Sequence, residues 1–267
     1  MADAVLYEVS DGLATITLNR PEAMNAMNTE AKVALRDAVQ AAAGDKAVRA
    51  VLLTAAGDRA FCVGQDLKEH IGSLMADRKA GQGGTMSTVH EHYNPIVRAL
   101  TQMPKPVVAA VNGVAAGAGF GFALCADYRI VADTASFNTS FAGVALTADS
   151  GVSWTLPRLI GPGRATDLLL FPRTITAQEA FEIGAVNKIV PADELAETAR
   201  KLALLLASGP TVAYAALKES VAFAADHSLD EALEKEDVLQ SRAGASEDHA
   251  IAVKAFIAKE KPKYLGR

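Results

Sequence analysis

The sequence predicts an α/β protein in which strand–loop–helix units stack on one another and a helical part follows. Three observations carry this expectation. The segments "TITLNRPEAMNAMNTEA", "AVLLTAAGDRAFCVGQDL" and "PVVAAVNGVAAGAGFGFAL" each run from an apolar strand through a loop into a helix. From about residue 151 onward the chain reads mainly as helices. Its 267 residues, 50% of them hydrophobic, suffice for one large core, alone or with a small appendage. The expected division is 1–200 for the α/β core and 201–267 for a C-terminal helical segment.

The elements follow in order. "VLYEVS" and "LATITLN" flank an Asp11-Gly12 turn and read as a hairpin that Pro21 stops. Thr29 is placed to cap a helix running to about Ala43, with Gly44 at its end. "VRAVLLT" is a short buried strand, and a helix starts near Asp66. "ADRKAGQGGTMS" (76–87) is rich in glycine and polar residues and reads as a mobile surface loop. A helix over 88–102, a strand in "KPVVAAVNG", a helix from about Gly117 to Cys125 and a strand in "YRIVAD" come next. Thr176 caps "AQEAFEIG", Gly184 ends it, and "AVNKIVP" is a short strand. "ADELAETARKLALLLASG" is an amphipathic helix, and helices over 211–224, 229–243 and 246–258 follow, with Ser228 and Ser246 at cap positions. The basic tail "KEKPKYLGR" is expected to be exposed.

Composition narrows the function. The net charge is −5 with the signs interspersed, which argues against a nucleic-acid partner. No apolar run reaches the roughly 20 residues of a membrane span, and "MADAVLYEVSDG" has no signal-peptide pattern. The cysteines, Cys62 and Cys125, are far apart and outside any CxxC, which fits a reduced, cytoplasmic compartment. His90 and His92 form an HxH with no further ligand in spacing, so no metal is expected.

Three places have the residue types for chemistry. Gly117, Gly119 and Gly121 alternate at a helix start, where unpaired backbone N–H groups face outward and missing side chains let a ligand approach; close helix packing accounts for the same pattern. Gly64 precedes Gln65-Asp66 at a second helix start. Two such starts in like units can converge on one oxygen, as an oxyanion hole requires. Asp149, in "ALTADSG", is the lone carboxylate between apolar stretches. It is either a functional acid or base or the cap of the following helix. Burial would raise its pKa and the helix start would lower it.

Taken together, "RPEAMNAMN", "AFCVGQDLKE", "PKPVVAAVNGVAAGAGFGFALCADYRIVAD" and "LPRLIG…ITAQEAFEIGAVNKIVP" resemble the crotonase, or enoyl-CoA hydratase/isomerase, superfamily over residues 5–260. The resemblance implies a spiral of ββα units, a C-terminal helical segment used for trimerisation, and acyl-CoA substrates. It implies that the backbone N–H groups of Gln65 and Ala118 hold the thioester oxygen. Asn25, Ala26 and the run Val63, Gly64, Gln65, Asp66 would flank the CoA moiety, with Gly117, Gly121 and Phe141 also at the substrate. No cofactor is implied beyond the coenzyme A of the substrate, and the expected assembly is a homotrimer or hexamer.

The resemblance breaks at the two glutamates with which the hydratases of this superfamily hold water. Their positions fall on Gly121 and Phe141, neither of which transfers a proton. Asp149 instead stands where phenylacetate-pathway and dienoyl-CoA isomerases resemble this stretch most and carry an acid; 4-chlorobenzoyl-CoA dehalogenase and the naphthoate synthases also carry one in this segment. The leading expectation is an isomerase with Asp149 as proton carrier. A hydratase with an atypical site, an acyl-CoA hydrolase or dehalogenase, and a non-catalytic acyl-CoA-binding protein are the alternatives. Phe120, Phe122, Phe137 and Trp154 are candidates for an apolar pocket or for plain core; Ser140, Ser150 and Asn138 are candidate polar contacts, and Lys261 and Lys263 could meet CoA phosphates.

Overall fold

A computed structural model of the chain describes residues 3–80 and 84–267. Asp11 and Gly12, with φ of 53° and 77°, fold β1 (Val5–Ser10) antiparallel onto β2 (Leu13–Leu18). After β2, Asn28 rather than Thr29 caps α1 (Thr29–Gly44): its side chain accepts from the Ala31 N–H at 2.9 Å, while the Thr29 hydroxyl donates to Glu69. The next units are β3 (Ala50–Ala55), β4 (Ala60–Cys62) and α2 (Leu67–Ala80).

The loop expected over 76–87 begins only after α2. Ala76, Arg78, Lys79 and Ala80 are helix formers and continue the helix to its end, so the first five residues of that stretch are helical. Residues 81–83 lie outside the described residues. Beyond them, Asp77 Oδ2 accepts from the backbone N–H groups of Gly84 and Thr85 at 2.9 and 2.6 Å. A π-helical turn, Val89–Tyr93, leads into α3 (Asn94–Gln102), whose first turn holds Pro95, a residue with no N–H to give to a regular ladder.

β5 (Val107–Val111), β6 (Val114–Ala116) and α4 (Ala118–Leu124) make the third unit. β7 (Tyr128–Ala132), β8 (Ser136–Asn138) and α5 (Val152–Ile160) make the fourth, with α6 (Pro162–Leu170) following at Gly161. The short β9 (Ile175–Thr176), α7 (Ala177–Glu182), β10 (Lys188–Val190) and α8 (Leu195–Ala207) complete the core. One sheet has the order β1-β2-β3-β5-β7-β10 and the other β4-β6-β8-β9. Consecutive units thus send a first strand into one sheet and a second into the other, in parallel, and the chain advances as a spiral of ββα turns. Every residue of β5 is buried, as a parallel strand covered on both faces must be.

The boundary expected at residue 200 falls inside α8. Leu195, Ala199, Ala203 and Ala207 of that helix are buried, so it belongs to the core and the helical segment starts after it. That segment is α9 (Thr211–Ala224), α10 (Leu229–Gly244) and α11 (Glu247–Ala258). Ser228 and Glu231 form a reciprocal capping box, and Ser246 accepts from the His249 N–H. The tail is tied down more than its composition suggests. Arg49 donates to the Tyr264 carbonyl at 3.2 Å, and the buried Asp248 carboxylate accepts from the N–H groups of Leu265 and Gly266 at 2.6 and 2.9 Å. Lys261 and Lys263 remain exposed. No helix among the described residues is long and apolar enough to cross a membrane.

Candidate active site

The spiral sets two helix starts side by side. On one, Met27 and Gln65 form a parallel bridge in which the Met27 N–H donates to the Gly64 carbonyl (2.8 Å) and the Asp66 N–H to the Met27 carbonyl (3.0 Å). Gly64 and Asp66 therefore face Met27 and, because strand groups alternate in direction, the Gln65 N–H faces the other way. That other way is β6, which pairs with β4. Gly64 has φ +86°, and a β-carbon there would lie 3.0 Å from the Ala116 carbonyl and 3.3 Å from the Ala118 nitrogen. Glycine is needed for both reasons, and the contact fixes how closely the two loops approach.

On the other start, the Gly117 N–H is already donated to the Asn138 carbonyl of β8 at 3.0 Å. Ala118, first residue of α4, then presents an N–H that no helix carbonyl reaches. Among the described residues, neither the Gln65 nor the Ala118 N–H has a protein acceptor. Gly117, φ +51°, has open space where a side chain would be. Two unpaired donors at adjoining loops, one on a helix start, can take a developing negative charge on one oxygen.

The flanking residues hold this frame. Asn25 is 1% exposed, and its side chain donates to the carbonyls of Ala56 and Ala60 and accepts from the Arg20 N–H, so it shapes the loop from inside. The Ala26 carbonyl and the Asp66 carboxylate both accept from Arg20. Asp66 also accepts from the Lys68 and Glu69 N–H groups at the start of α2. Burial opposes ionisation of Asp66, but the Glu69 N–H, Arg20 and the Lys68 N–H outweigh it and hold its carboxyl below the usual range. The Val63 N–H donates to the Met24 carbonyl.

Asp149 sits on a turn with two left-handed residues, Ser150 (φ 50°) and Gly151 (φ 75°). Its side chain does not cap α5, which has no side-chain cap at all; only its carbonyl accepts from Val152. Among the described residues the carboxylate takes one hydrogen bond, from the Ser150 hydroxyl at 2.8 Å. Burial pushes its pKa up and the Ser150 bond offsets this in part. Its charge in turn helps raise the pKa of Tyr93, after burial as the main cause, so the two side chains share one neighbourhood. Of the two readings of Asp149, the helix cap is excluded. The strained non-glycine residue beside it is of the kind that collects at functional sites.

Gly121 and Gly119 are packing glycines. A β-carbon on Gly121 would meet the Ser150 carbonyl oxygen at 2.6 Å, and one on Gly119 would meet the Cys62 carbonyl. Phe141 is buried and caps the 3-10 turn Ala142–Val144, close after Ser140 at φ +63°. Phe120 and Phe137 pack against each other with tilted rings in the core, and Phe122 meets Tyr93 edge to face, whereas Trp154 is 42% exposed with Arg158 over its ring. Asn138 accepts from the Ser140 N–H and hydroxyl and so sets that turn. His90 and His92 lie on the π-turn, where His92 bonds to the Thr88 hydroxyl.

Two residues escaped the sequence reading. Lys32 is 2% exposed on the buried stripe of α1, between Ala31 and Leu35, and Tyr93 is 2% exposed on the π-turn. Both donate to the Gln65 side-chain oxygen, at 3.2 and 2.5 Å. A lysine inside an otherwise apolar helix stripe was the signal available for the first. Gln65, Lys32 and Thr88 also border a polar cavity of about 300 Å³ between α1, α2 and the π-turn.

A spiral of ββα turns with two unpaired amide donors at adjoining loops defines a class of fold and site, and the chain belongs to the enoyl-CoA hydratase/isomerase family, whose model matches residues 8–267. It is 39% identical over the full length of both chains to the 1,2-epoxyphenylacetyl-CoA isomerase of Escherichia coli strain K12. It is 33% identical to the crotonyl-CoA hydratase of Syntrophomonas wolfei, covering 98% of each chain. A crystal structure of a Mycobacterium abscessus protein, provisionally named enoyl-CoA hydratase/isomerase, superimposes with a TM-score of 0.94 at 48% identity, covering 99% of this chain and 100% of that one.

Proposed function

We propose that this family member is an isomerase of acyl-CoA thioesters. The thioester oxygen accepts from the Gln65 and Ala118 N–H groups. Asp149, as carboxylate, removes a proton from carbon beside the carbonyl or in conjugation with it, and the electron pair moves onto the oxygen as an enolate. The same carboxyl returns the proton at another carbon, so the product is an isomer with no atom gained or lost. A strained ring on the acyl group would open or expand through the same enolate. Each lost oxyanion donor of this kind costs about 3–4 kcal/mol of transition-state stabilisation. Asn25, Ala26, Val63, Gly64, Asp66 and Gly117 form the loops along which the CoA part would lie; Phe141 borders the acyl end, and Gly121 admits the Asp149 turn.

The observation that carries this reading is that Asp149 is a half-buried carboxylate with neither a helix to cap nor, among the described residues, an ion-pair partner. A charge kept in that condition has a cost that structure alone does not return. The identity to an isomerase over the full chain supports the same reading. Gly121 and Phe141 stand where a water-adding site of this superfamily would need carboxylates, which weighs against hydration. Exposed apolar side chains on α9 to α11, among them Leu217, Val221, Leu233, Val253, Phe256 and Ile257, support assembly into a homotrimer or hexamer.

The test is mass spectrometry of 3-enoyl-CoA and phenylacetyl-CoA incubated with the enzyme in heavy water. Deuterium uptake without addition of water is expected, and it should vanish in Asp149→Asn while thioester binding persists. Addition of one water, release of free CoA, or exchange that survives in Asp149→Asn would overturn the assignment.

A further inference from the structure

The oxyanion donor on Gln65 belongs to the Gly64–Gln65 peptide. The direction of its N–H is set by rotation about Gly64 ψ and Gln65 φ. Gly64 is the residue least able to fix such a rotation, because glycine resists few backbone conformations. Something else has to hold this peptide plane. Its carbonyl is held by the Met27 N–H at 2.8 Å. Its other end, the Gln65 N–H, has no acceptor among the described residues.

The Gln65 side chain supplies that missing hold. Its Oε1 accepts two hydrogen bonds at once, from the Tyr93 hydroxyl at 2.5 Å and from Lys32 Nζ at 3.2 Å. Both donors are themselves fixed. Tyr93 is 2% exposed and packed edge to face on Phe122 of α4. Lys32 Nζ also donates to the Thr88 hydroxyl at 2.9 Å, pairs with Glu69 at 3.7 Å and lies 5.7 Å from the Tyr93 ring centroid. The two donors come from α1 and from the π-turn, elements distant in sequence from the 63–66 loop. An oxygen with two such donors has both lone pairs engaged, and the side chain has one orientation.

We infer that Tyr93 and Lys32 are positioning residues for the oxyanion donor: by clamping the Gln65 side chain they hold the Gln65 N–H in line with the Ala118 N–H. The inference rests on the oxyanion reading of Gln65 above. It explains why a lysine is buried on the apolar stripe of α1. It also explains why the π-turn is kept: in the extra-residue turn Tyr93 faces inward, whereas His90 and Glu91 are exposed. On this inference the effect of the clamp reaches catalysis through the peptide it orients.

Three variants test this: Tyr93→Phe, Gln65→Leu and the double variant. With phenylacetyl-CoA in heavy water, Tyr93→Phe should slow exchange about 3- to 10-fold, the equivalent of one neutral hydrogen bond, with KM nearly unchanged. The difference infrared band of the bound thioester carbonyl, labelled with ¹³C, should shift back toward its frequency in solution. In the Gln65→Leu background Tyr93→Phe should have no further effect, because the residue through which it acts is gone. Gln65→Glu, which keeps the accepting oxygen, should retain most of the activity. If Tyr93→Phe does not fold, Lys32→Met takes its place in the same cycle with the same expectation.

An unchanged carbonyl band in a slowed Tyr93→Phe enzyme overturns the inference, as does an equal loss in the presence and absence of the Gln65 side chain. Undiminished exchange in Tyr93→Phe, with exchange lost in Asp149→Asn, overturns the clamp alone and leaves the isomerase standing. No exchange and no carbonyl polarisation in the wild-type enzyme overturns both.

Discussion

Ser150 lies so close to Gly121 that a β-carbon on Gly121 would fall 2.6 Å from the Ser150 carbonyl oxygen and 2.8 Å from the Ser150 β-carbon. The turn bearing Asp149 thus occupies the space a side chain at position 121 would need. Restoring a carboxylate by Gly121→Glu should not produce a hydratase. It should push the Asp149 turn off α4 and lower exchange and stability together. Gly121→Ala isolates the effect: alanine gains about 0.5–1 kcal/mol in a helix, but overpacking of a buried backbone contact costs about 1–3 kcal/mol. The net expectation is a lower thermal midpoint. An unchanged or raised midpoint in Gly121→Ala would show that the contact is not tight.

Asp149 should cost the protein stability at neutral pH. Burial raises its folded pKa above the unfolded value, partly offset by Ser150. The folded state then binds the proton more tightly than the unfolded chain, so this group's favourable contribution is complete below the unfolded pKa. It is lost as pH rises through the folded pKa. Asp149→Asn removes the buried charge and should raise the thermal midpoint at pH 7. The advantage should shrink as pH falls toward the ordinary carboxylate value of about 3.9. A variant less stable than the wild type at pH 7 would mean that Asp149 holds a contact worth more than its desolvation.

The same shift governs the acid limb of activity. As the proposed proton carrier, Asp149 must be ionised to take a proton, so exchange should fall with decreasing pH at a value above that of an unperturbed aspartate. The Ser150 hydroxyl donates to the carboxylate and favours its charged form. Ser150→Ala should therefore move the acid limb to still higher pH while the plateau rate stays close to wild type. A limb that moves to lower pH, or not at all, would detach Ser150 from the ionisation of Asp149.

Both thiols should be inert in the native protein. Cys62 and Cys125 are buried, and burial pushes each thiol up to about 12; for Cys62 the Gly64 N–H offsets this slightly, for Cys125 the charges of Arg129 and Lys218 do. The thiolate is the reactive form. Titration with a thiol reagent should give no reaction under native conditions and two equivalents after unfolding. Rapid labelling of Cys62 in the folded state would mean that the 63–66 loop opens, since Cys62 lies directly behind it.

Much of this was legible in the sequence because it depends on local rules. The Asp11-Gly12 hairpin, the Thr176, Ser228 and Ser246 caps and the buried strand β5 follow from turn chemistry, capping and apolar runs. The approach of the Gly64 and Gly117 loops was legible as two like helix starts in two like units, while the choice of Gln65 and Ala118 as donors came from the family resemblance. Three kinds of feature were not. β4, β6 and β8 are three residues each, too short to show a period, and without them the second sheet is invisible. Helix α2 overran the expected loop because helix formers precede its first glycine. The Gln65 clamp joins residues 32, 65 and 93, and a contact between a lysine, an amide and a phenol far apart in the chain leaves no local pattern.

α11 has one buried residue, Asp248, and that one is covered by the chain's own tail through the Leu265 and Gly266 N–H groups. Its largest exposed apolar side chains face outward: Phe256 is 85% and Ile257 76% exposed. Burying an aromatic or aliphatic side chain of this size contributes about 1.5–3 kcal/mol relative to leaving it in water. A helix that packs so little of its apolar surface on its own chain is expected to pack it on another copy. Phe256→Ser with Ile257→Ser should shift the protein from the proposed trimer or hexamer toward monomer in sedimentation velocity at micromolar concentration. Because α11 is remote in sequence from the Gln65, Ala118 and Asp149 turns, the monomer should keep its core fold by circular dichroism. An assembly unchanged by the double substitution, or a wild-type chain that sediments as a monomer, would show that this face is not the contact between copies.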